Sequence, residues 1–484
     1  MGRVGRVAWC ALIVVMTLSL AGCGTRGARG GSTAQRAPQP ARAQAATLGA
    51  LDPTEAYRRA GFLTTSGPVS FVGSVHFLAG PAPDSVLAVV AVSLPSRSLT
   101  FTREGERYRA AYEVEFELLR RAGGTARAVG RFKARETVRV SHLRETTRDE
   151  ESVIFQQVLV VPPGNYTAAL TVRDLGSNRS GTAEVSTAAP HFASAPEGGG
   201  ASVSALAPPV TVYTATPRAS RFVLPDFVVS ARSAAIFGRD SVIRVYFEWY
   251  GVGGARPGDR PPLLRFSVRS DDGRELHADS VIAGAWGADG QLAAATARVP
   301  VAKVGLGRLR LTAWHAGGID TVAAPIFVSA AEDIAAVSFE EMLGYLRYFA
   351  TAERLRTLRD AAPETRAAAW TAFLTATDPS PATSEHEGLR EYFGRLAVAN
   401  ARFRGEEVPG WLSDRGMVYS TLGEPDRVAE PRTSDARARG RAQLWEYTQH
   451  RLRLVFIEQD STRRWRLTPA SEAEFQAVAE RVKR

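Results

Sequence analysis

Apolar and polar residues alternate with a period of two through the first two thirds of the chain, and the period lengthens to about 3.6 after Ser338. In Tyr112-Glu113-Val114-Glu115-Phe116-Glu117-Leu118 every second residue is apolar and the three between are glutamate, which predicts a half-buried strand with a wet face. Tyr166, Ala168, Leu170 and Val172 alternate likewise after the turn Pro162-Pro163-Gly164, and Val153–Val161 reads as a more apolar strand before it. Short strands punctuated by turn residues, with almost no helical period, predict an antiparallel sandwich over residues 52–192. A soft Ala193–Ala207 segment containing Gly198-Gly199-Gly200 follows. Ile243, Val245, Phe247 and Trp249 then alternate with Arg244, Tyr246, Glu248 and Tyr250. Leu264, Phe266 and Val268 run into Asp271-Asp272-Gly273, a hairpin turn whose glycine tolerates positive φ, and Leu309, Leu311 and Ala313 form a late strand. These predict a second immunoglobulin-like sandwich over 208–330.

At Ser338 a capping box with Glu341 opens a helix whose broad apolar face is Met342, Leu343, Tyr345, Leu346 and Phe349. Helical patterning continues through Leu355–Leu358 and Thr365–Phe373, breaks at Asp378-Pro379-Ser380-Pro381 and resumes from Glu387 to Phe403. A helical segment over 338–405 and a small α+β domain over 406–484 complete the organisation. In that last domain Val418–Leu422 reads as a strand ended by Gly423 and Pro425, with Leu444–Tyr447, Leu452–Glu458 and Arg464–Leu467 as antiparallel neighbours. A second capping box, Ser471 with Glu474, predicts the closing helix. The expected fold is thus multidomain and mainly β, with two sandwiches, a helical connector and a C-terminal α+β domain.

The N-terminus predicts an address. Arg3 and Arg6 precede about 14 mostly apolar residues from Ala8 to Ala21, too short a run to span a bilayer and laid out as a cleavable signal. It ends in Leu20-Ala21-Gly22-Cys23, which resembles the lipobox of bacterial lipoproteins. That resemblance implies a signal peptide over 1–22, cleavage before Cys23 and acylation of its thiol, with more than one acyl chain giving a stable membrane anchor. Gly24–Ala50 has no aromatic residue and is rich in Gly, Ala, Arg, Gln and Pro, so residues 23–51 read as a disordered tether. Gly24 and Thr25 follow the cysteine without an aspartate retention signal, which favours an outer-membrane protein facing the periplasm. Cys10 lies inside the signal, so acylated Cys23 would leave no thiol for disulfide, redox or zinc–thiolate chemistry.

Between the helices stands Pro409-Gly410-Trp411-Leu412-Ser413-Asp414-Arg415-Gly416, followed by Val418-Tyr419 and Leu422-Gly423-Glu424-Pro425-Asp426. This resembles the GWxTD domain, a bacterial envelope family named for that run, with Ser413 where the family name has threonine. Trp370, Phe373, Asp378-Pro379, Tyr392-Phe393 and Asn400 upstream, and Trp445, Tyr447, Phe456, Asp460 and Trp465-Arg466-Leu467 downstream, extend the resemblance over about residues 338 to 470. It implies architecture more than activity. By their chemistry, Gly410 and Gly416 bracket a turn, Ser413 or Asp414 can bond its backbone, and Trp411 can plug a core. The functional alternative has Asp414, Arg415 and Asp426 lining a ligand groove.

Composition narrows the partners. The net charge of +10 invites nucleic acid, yet only Lys133, Lys303 and Lys483 of the 60 basic residues are lysine, and the arginines are scattered among acids, so no nucleic-acid partner is expected. The seven histidines are isolated, and no metal motif, nucleophile elbow or P-loop occurs, so neither cofactor nor metal is expected. Gly251, Gly253, Gly254 and Gly258 run into Pro261-Pro262, not into the helix a phosphate cradle needs. His386-Glu387 near Asp378 is the nearest approach to a polar cluster, and capping of a helix start accounts for it. The expected work is non-catalytic binding or scaffolding with an envelope protein partner. The alternative is a hydrolase or carbohydrate-active protein using acids of the C-terminal domain.

Overall fold

The computed structural model describes residues 53–484 apart from 66, 123–124, 148–151, 193–204, 238, 251–258, 288–291, 316–320, 330–336, 363–364, 381–385, 406–407, 431–440 and 460–463. The signal, Cys23, the tether, the Gly198–Gly200 stretch, the Gly251–Gly258 loop and Asp460 therefore lie outside the described residues.

The chain is mainly β. After a short helix α1 (Pro53–Arg59) come β1 (Leu63–Thr65), β2 (Phe71–Ala79), β3 (Val86–Pro95), β4 (Thr102–Glu104), β5 (Arg107–Ala122) and β6 (Thr125–Val140). A single turn, α2 (Leu143–Thr147), precedes β7 (Ser152–Val161), β8 (Gly164–Asp174) and β9 (Ser180–Ala189). They form two antiparallel sheets, β1-β2-β3-β7 and β4-β5-β8-β9, with β6 also pairing β5. The alternation in β5 does what its pattern dictates. Tyr112, Val114, Phe116 and Leu118 are buried, while Glu113, Glu115 and Glu117 face Arg135, Lys133 and Arg131 across β6. Such opposed charges add about 0.2–1 kcal/mol each to a sheet, and Glu113 lies 2.8 Å from Arg135 Nε and 2.9 Å from Lys133 Nζ.

The second β unit holds β10 (Ala205–Leu206), β11 (Val210–Thr216), β12 (Asp226–Val229), β13 (Ala234–Ile236), β14 (Val242–Tyr250), β15 (Leu263–Ser270), β16 (Glu275–Ile282) and β17 (Leu292–Pro300). Helix α3 (Val301–Val304), β18 (Gly307–His315) and β19 (Thr321–Ser329) close it. Its sheets are β10-β14-β11-β12, with β17 also on β14, and β13-β19-β18-β15-β16. Gly273, at φ +83°, makes the turn between β15 and β16.

The two units share a wall. Every residue of β3 is buried, so the first sheet is covered on both faces. On β14, Ile243, Val245, Phe247 and Trp249 join the core of the second unit. Tyr246 and Tyr250, on the opposite face of β14, join the core of the first. The Gln156 amide donates to Phe227 O and accepts from Val229 N, both at 2.9 Å, so β7 clasps β12 as an extra strand would.

A buried polar cluster rivets the same wall. Arg218 and Glu248 have fully buried side chains 2.9 Å apart. Tyr246 and Tyr250 both donate hydroxyl hydrogens to Glu248. Arg218 also donates to Ala79 O at 3.0 Å, and Ala79 N donates to the Tyr250 hydroxyl at 2.8 Å. Each charge thus meets a partner before it is cut off from water. Burial pushes the Glu248 carboxyl up, against the pull of Arg218 and the two tyrosines.

The C-terminal part comprises α4 (Phe339–Tyr345), α5 (Ala352–Asp360), α6 (Arg366–Thr377), α7 (Glu387–Arg402) and α8 (Asp414–Leu422), then β20 (Arg427–Ala429), β21 (Ala442–Tyr447), β22 (Leu452–Gln459), β23 (Arg464–Leu467) and α9 (Pro469–Val482). The Ser338–Glu341 capping box is present at α4. The four strands form one antiparallel sheet in chain order. Helices and strands here share one hydrophobic cluster with the second β unit, which takes in Val304 and Leu309 as well as Val337, Met342 and Leu343.

Two local expectations are corrected. Val418–Leu422 is the end of helix α8, not a strand. Ser413 caps its start, Asp414 sits in its first turn and Gly423 ends it at φ +87°, and these terminal signals outweigh the β-branched Val418 and Thr421. The closing helix is capped by Thr468 with Pro469 in its first turn, not by Ser471 and Glu474. The Ser471 hydroxyl accepts instead from Val455 N at 2.9 Å, fastening α9 to β22.

Candidate functional site

The Gly410–Asp426 run is where the sequence concentrates its signal, and its geometry follows from close backbone approach. Gly410–Leu412 is a 3-10 turn laid against the end of α7. A Cβ on Gly410 would stand 2.6 Å from Asn400 O and 2.7 Å from Ala399 O, and one on Gly416 would stand 1.9 Å from Gly410 O. Ser413, fully buried, donates to Gly410 O at 2.7 Å and accepts from Gly416 N at 3.0 Å. The hydroxyl therefore closes the turn and caps α8 together. Trp411 is 1 % exposed. Tyr345 and Tyr348 flank its ring at centroid distances of 5.2 and 6.1 Å, and the Arg347 guanidinium lies 5.3 Å over it.

The charged residues of the run are committed to the fold. Asp414 accepts from Leu467 N at 2.9 Å and pairs with Arg466 at 3.0 Å, tying the α8 N-terminus to β23. Arg415 lies between aromatic faces, 5.0 Å from the Phe403 ring and 4.7 Å from Trp465. Glu424 makes two 2.7 Å contacts with Arg402, which holds its carboxyl below the usual range. Asp426 accepts from Thr448 N at 2.6 Å while its own N–H donates to Glu446 O, fixing the entry to β20. Tyr447 donates to Gly423 O at 3.0 Å, and Pro425 is buried beside it in sequence.

His386 caps α7 through Nδ1, which accepts from Leu389 N, and its Nε2 lies 3.0 Å from the Thr377 hydroxyl. Burial lowers its pKa. Asp378 accepts from Ser380 N at 2.8 Å, so the His386–Asp378 pair serves a helix break and a helix start.

Asp414, Arg415 and Asp426 each have their own contacts, to β23, to two aromatic rings and to Thr448 N. None of them lines the cleft of about 780 Å³ beside Thr351, Asp378 and Arg484, the one of about 460 Å³ beside Arg121 and Tyr166, or the one of about 1240 Å³ between the second β unit and α4. Among the described residues, no group of three or more His, Cys, Asp or Glu is placed to hold a metal ion, and no helix is long and apolar enough to cross a membrane. What sequence reading missed is the Arg218–Glu248 cluster and the cleft of about 1240 Å³. Tyr246, Glu248 and Tyr250 alternate like an outer strand face, and no local signal marks Arg218, 30 residues away, as their partner.

A mainly β chain ending in helices around a four-stranded sheet, with this turn at its centre, defines the class. Residues 324–474 match the GWxTD domain, so the chain carries that domain. The matched span begins inside β19 and ends inside α9. No curated protein matches the chain. Among solved structures it is similar to a Bifidobacterium dentium β-glucuronidase complexed with coumarin-3-O-glucuronide, at 10% identity over 50% of this chain and 39% of that one, TM-score 0.17. A trypsin-activated α2-macroglobulin from Escherichia coli aligns at 10% identity over 57% of this chain and 18% of its own, TM-score 0.15. A Salmonella α2-macroglobulin mutant aligns at 12% identity, 55% and 17%, TM-score 0.15. The chain thus spans less than two fifths of the length of each.

Proposed function

We propose that the chain is a lipid-anchored protein of the bacterial cell envelope, acylated at Cys23, that faces the periplasm from the outer membrane and binds or scaffolds another envelope protein without catalysis. The observation that carries the non-catalytic part is the employment of the motif. Trp411, Ser413, Asp414, Arg415 and Asp426 all hold backbone or aromatic neighbours in place. A general acid or base needs a free carboxyl facing a substrate space, and the motif acids have none. The riveted wall between the two β units supports a stiff support for the C-terminal domain beyond the tether.

The anchor is tested by detergent phase partition and mass spectrometry of the N-terminal peptide. The wild-type chain enters the detergent phase with a diacylated Cys23, and Cys23→Ala lacks the modification. An unmodified N-terminus at any other residue refutes the lipoprotein reading. Crosslinking in intact cells then tests the scaffold: a discrete crosslinked species is expected, and hydrolysis of an envelope polysaccharide by the purified chain would overturn it.

A further inference from the structure

The cleft of about 1240 Å³ lies where the second β unit meets the helical segment. One wall is the β15–β16 turn, the opposite wall is α4 with the start of α6, and α3 and the start of β18 form the floor. Its apolar lining comes from Leu276, Val304, Leu306, Leu309 and Phe339.

The charges around it are unequally satisfied. Asp271 pairs with Arg308 at 2.9 Å, and Glu341 caps Ser338 N at 2.9 Å. Glu275 pairs with Arg269 at 3.3 Å, Asp272 accepts from Arg274 N at 3.2 Å, and Glu340 lies 4.0 Å from Arg359. Every acid in the lining has a partner. Arg274, Lys303 and Arg366 form no ion pair among the described residues. Arg366 lays its guanidinium 4.4 Å over the Phe339 ring, and its Nε is buried without a partner. Burial, and then the nearby positive Arg274, push its pKa down despite Glu340 and Asp272. Two guanidinium groups reach one cleft from opposite walls, and although Asp272 and Glu340 lie near enough to act on Arg366, neither forms an ion pair with Arg274 or Arg366 among the described residues.

We propose that this cleft binds an organic anion, a carboxylate or phosphate carried on an apolar body. Its charge sits between Arg274 and Arg366 within reach of Lys303, and its apolar body lies along Leu276, Leu306 and Phe339. Guanidinium forks suit both head groups, and a mostly apolar cleft with few convergent polar groups is the usual form of a small-molecule site. The site stands whether or not Cys23 carries lipid, because every residue it uses falls between 270 and 368. It would couple the second β unit to the GWxTD domain, since its ligand touches both.

The test is calorimetric titration of the full chain in mild detergent with 2-naphthoate, and with uncharged 2-naphthamide as the control. Naphthoate binds one to one, and naphthamide binds at least about tenfold more weakly, the scale of a lost charge-assisted contact. Arg274→Gln/Arg366→Gln loses about tenfold or more for naphthoate while keeping the wild-type thermal midpoint. Lys303→Gln, on the exposed floor, weakens binding more modestly and serves if the double variant misfolds. A parallel titration with dihexanoylphosphatidylglycerol names the source: tighter binding than naphthoate points to a lipid head group, weaker binding to a soluble metabolite. Equal affinity for naphthoate and naphthamide, or unchanged affinity in both variants, overturns the proposal.

Discussion

Trp411→Ala is the sharpest test of the motif as a structural plug. A buried indole removes up to about 250 Å² from water, which at about 25 cal/mol per Å² is worth up to about 6 kcal/mol. Truncations of large aromatics to alanine cost about 3–5 kcal/mol, because the site partly collapses. One effect opposes this. Trp411 Nε1 is buried without a hydrogen-bond partner, and an unmet donor costs about 1–3 kcal/mol that the truncation returns. The expected net loss is therefore about 2 kcal/mol. Trp411→Phe keeps much of the stacking against Tyr345 and Tyr348 and also drops the unmet donor, so its loss should be less than half as large. Urea unfolding followed by far-UV circular dichroism, with linear extrapolation, measures both. An alanine variant within about 1 kcal/mol of wild type refutes the plug. A phenylalanine variant as unstable as alanine refutes the assignment of Nε1 as unmet.

Gly416→Ala should be severely destabilising, because its Cβ meets Gly410 O at 1.9 Å, whereas Gly394→Ala on the open face of α7 should stabilise by about 0.5–1 kcal/mol. Thermal midpoints of the pair check this, and equal behaviour would refute the close-approach argument. Burial pushes His76 down to about 4. The unfolded chain takes up a proton as pH falls through about 6.5 while the native ring resists, so stability is lost between those values by up to about 3 kcal/mol. His76→Gln should flatten that part of the stability–pH curve, and an unchanged slope would sink the assignment. Arg218→Met leaves Glu248 buried without its counter-ion and should cost about 3–5 kcal/mol. Adding Glu248→Leu should recover part of this in the same denaturation assay, and a single variant losing under about 1 kcal/mol would refute the rivet.

Much of the β architecture was legible because a strand with one dry face writes that face into every second residue, as β5 and β8 do. The α4 capping box was legible for an equally local reason. β14 was read as a strand, but the burial of its second face escaped, because its two faces pack on different cores and its tyrosines and Glu248 looked like a solvent face. The α8 helix was misread because nine residues show too little periodicity, and the decisive hydrogen bonds come from Ser413 and the positive φ at Gly423. The motif was legible as a run of residues, and Gly410, Trp411 and Ser413 are buried in the turn that precedes α8. The cleft beside α4 was not, since it forms only where a hairpin turn near residue 272 meets a helix starting near residue 339.

The Arg218–Glu248–Tyr246–Tyr250 cluster also bears on how such a protein can be rearranged over evolutionary time. Its charges sit on the second β unit, and Ala79, which accepts from Arg218 and donates to Tyr250, belongs to the first. Exchanging the first unit for an unrelated sandwich would remove those backbone partners and leave an arginine and a glutamate in an ill-fitting seam. Recombination can therefore shuffle the β pair as a block more readily than it can shuffle either half. For the same reason, a chimaera built to change what this arm reaches should be cut outside the pair, not between its members.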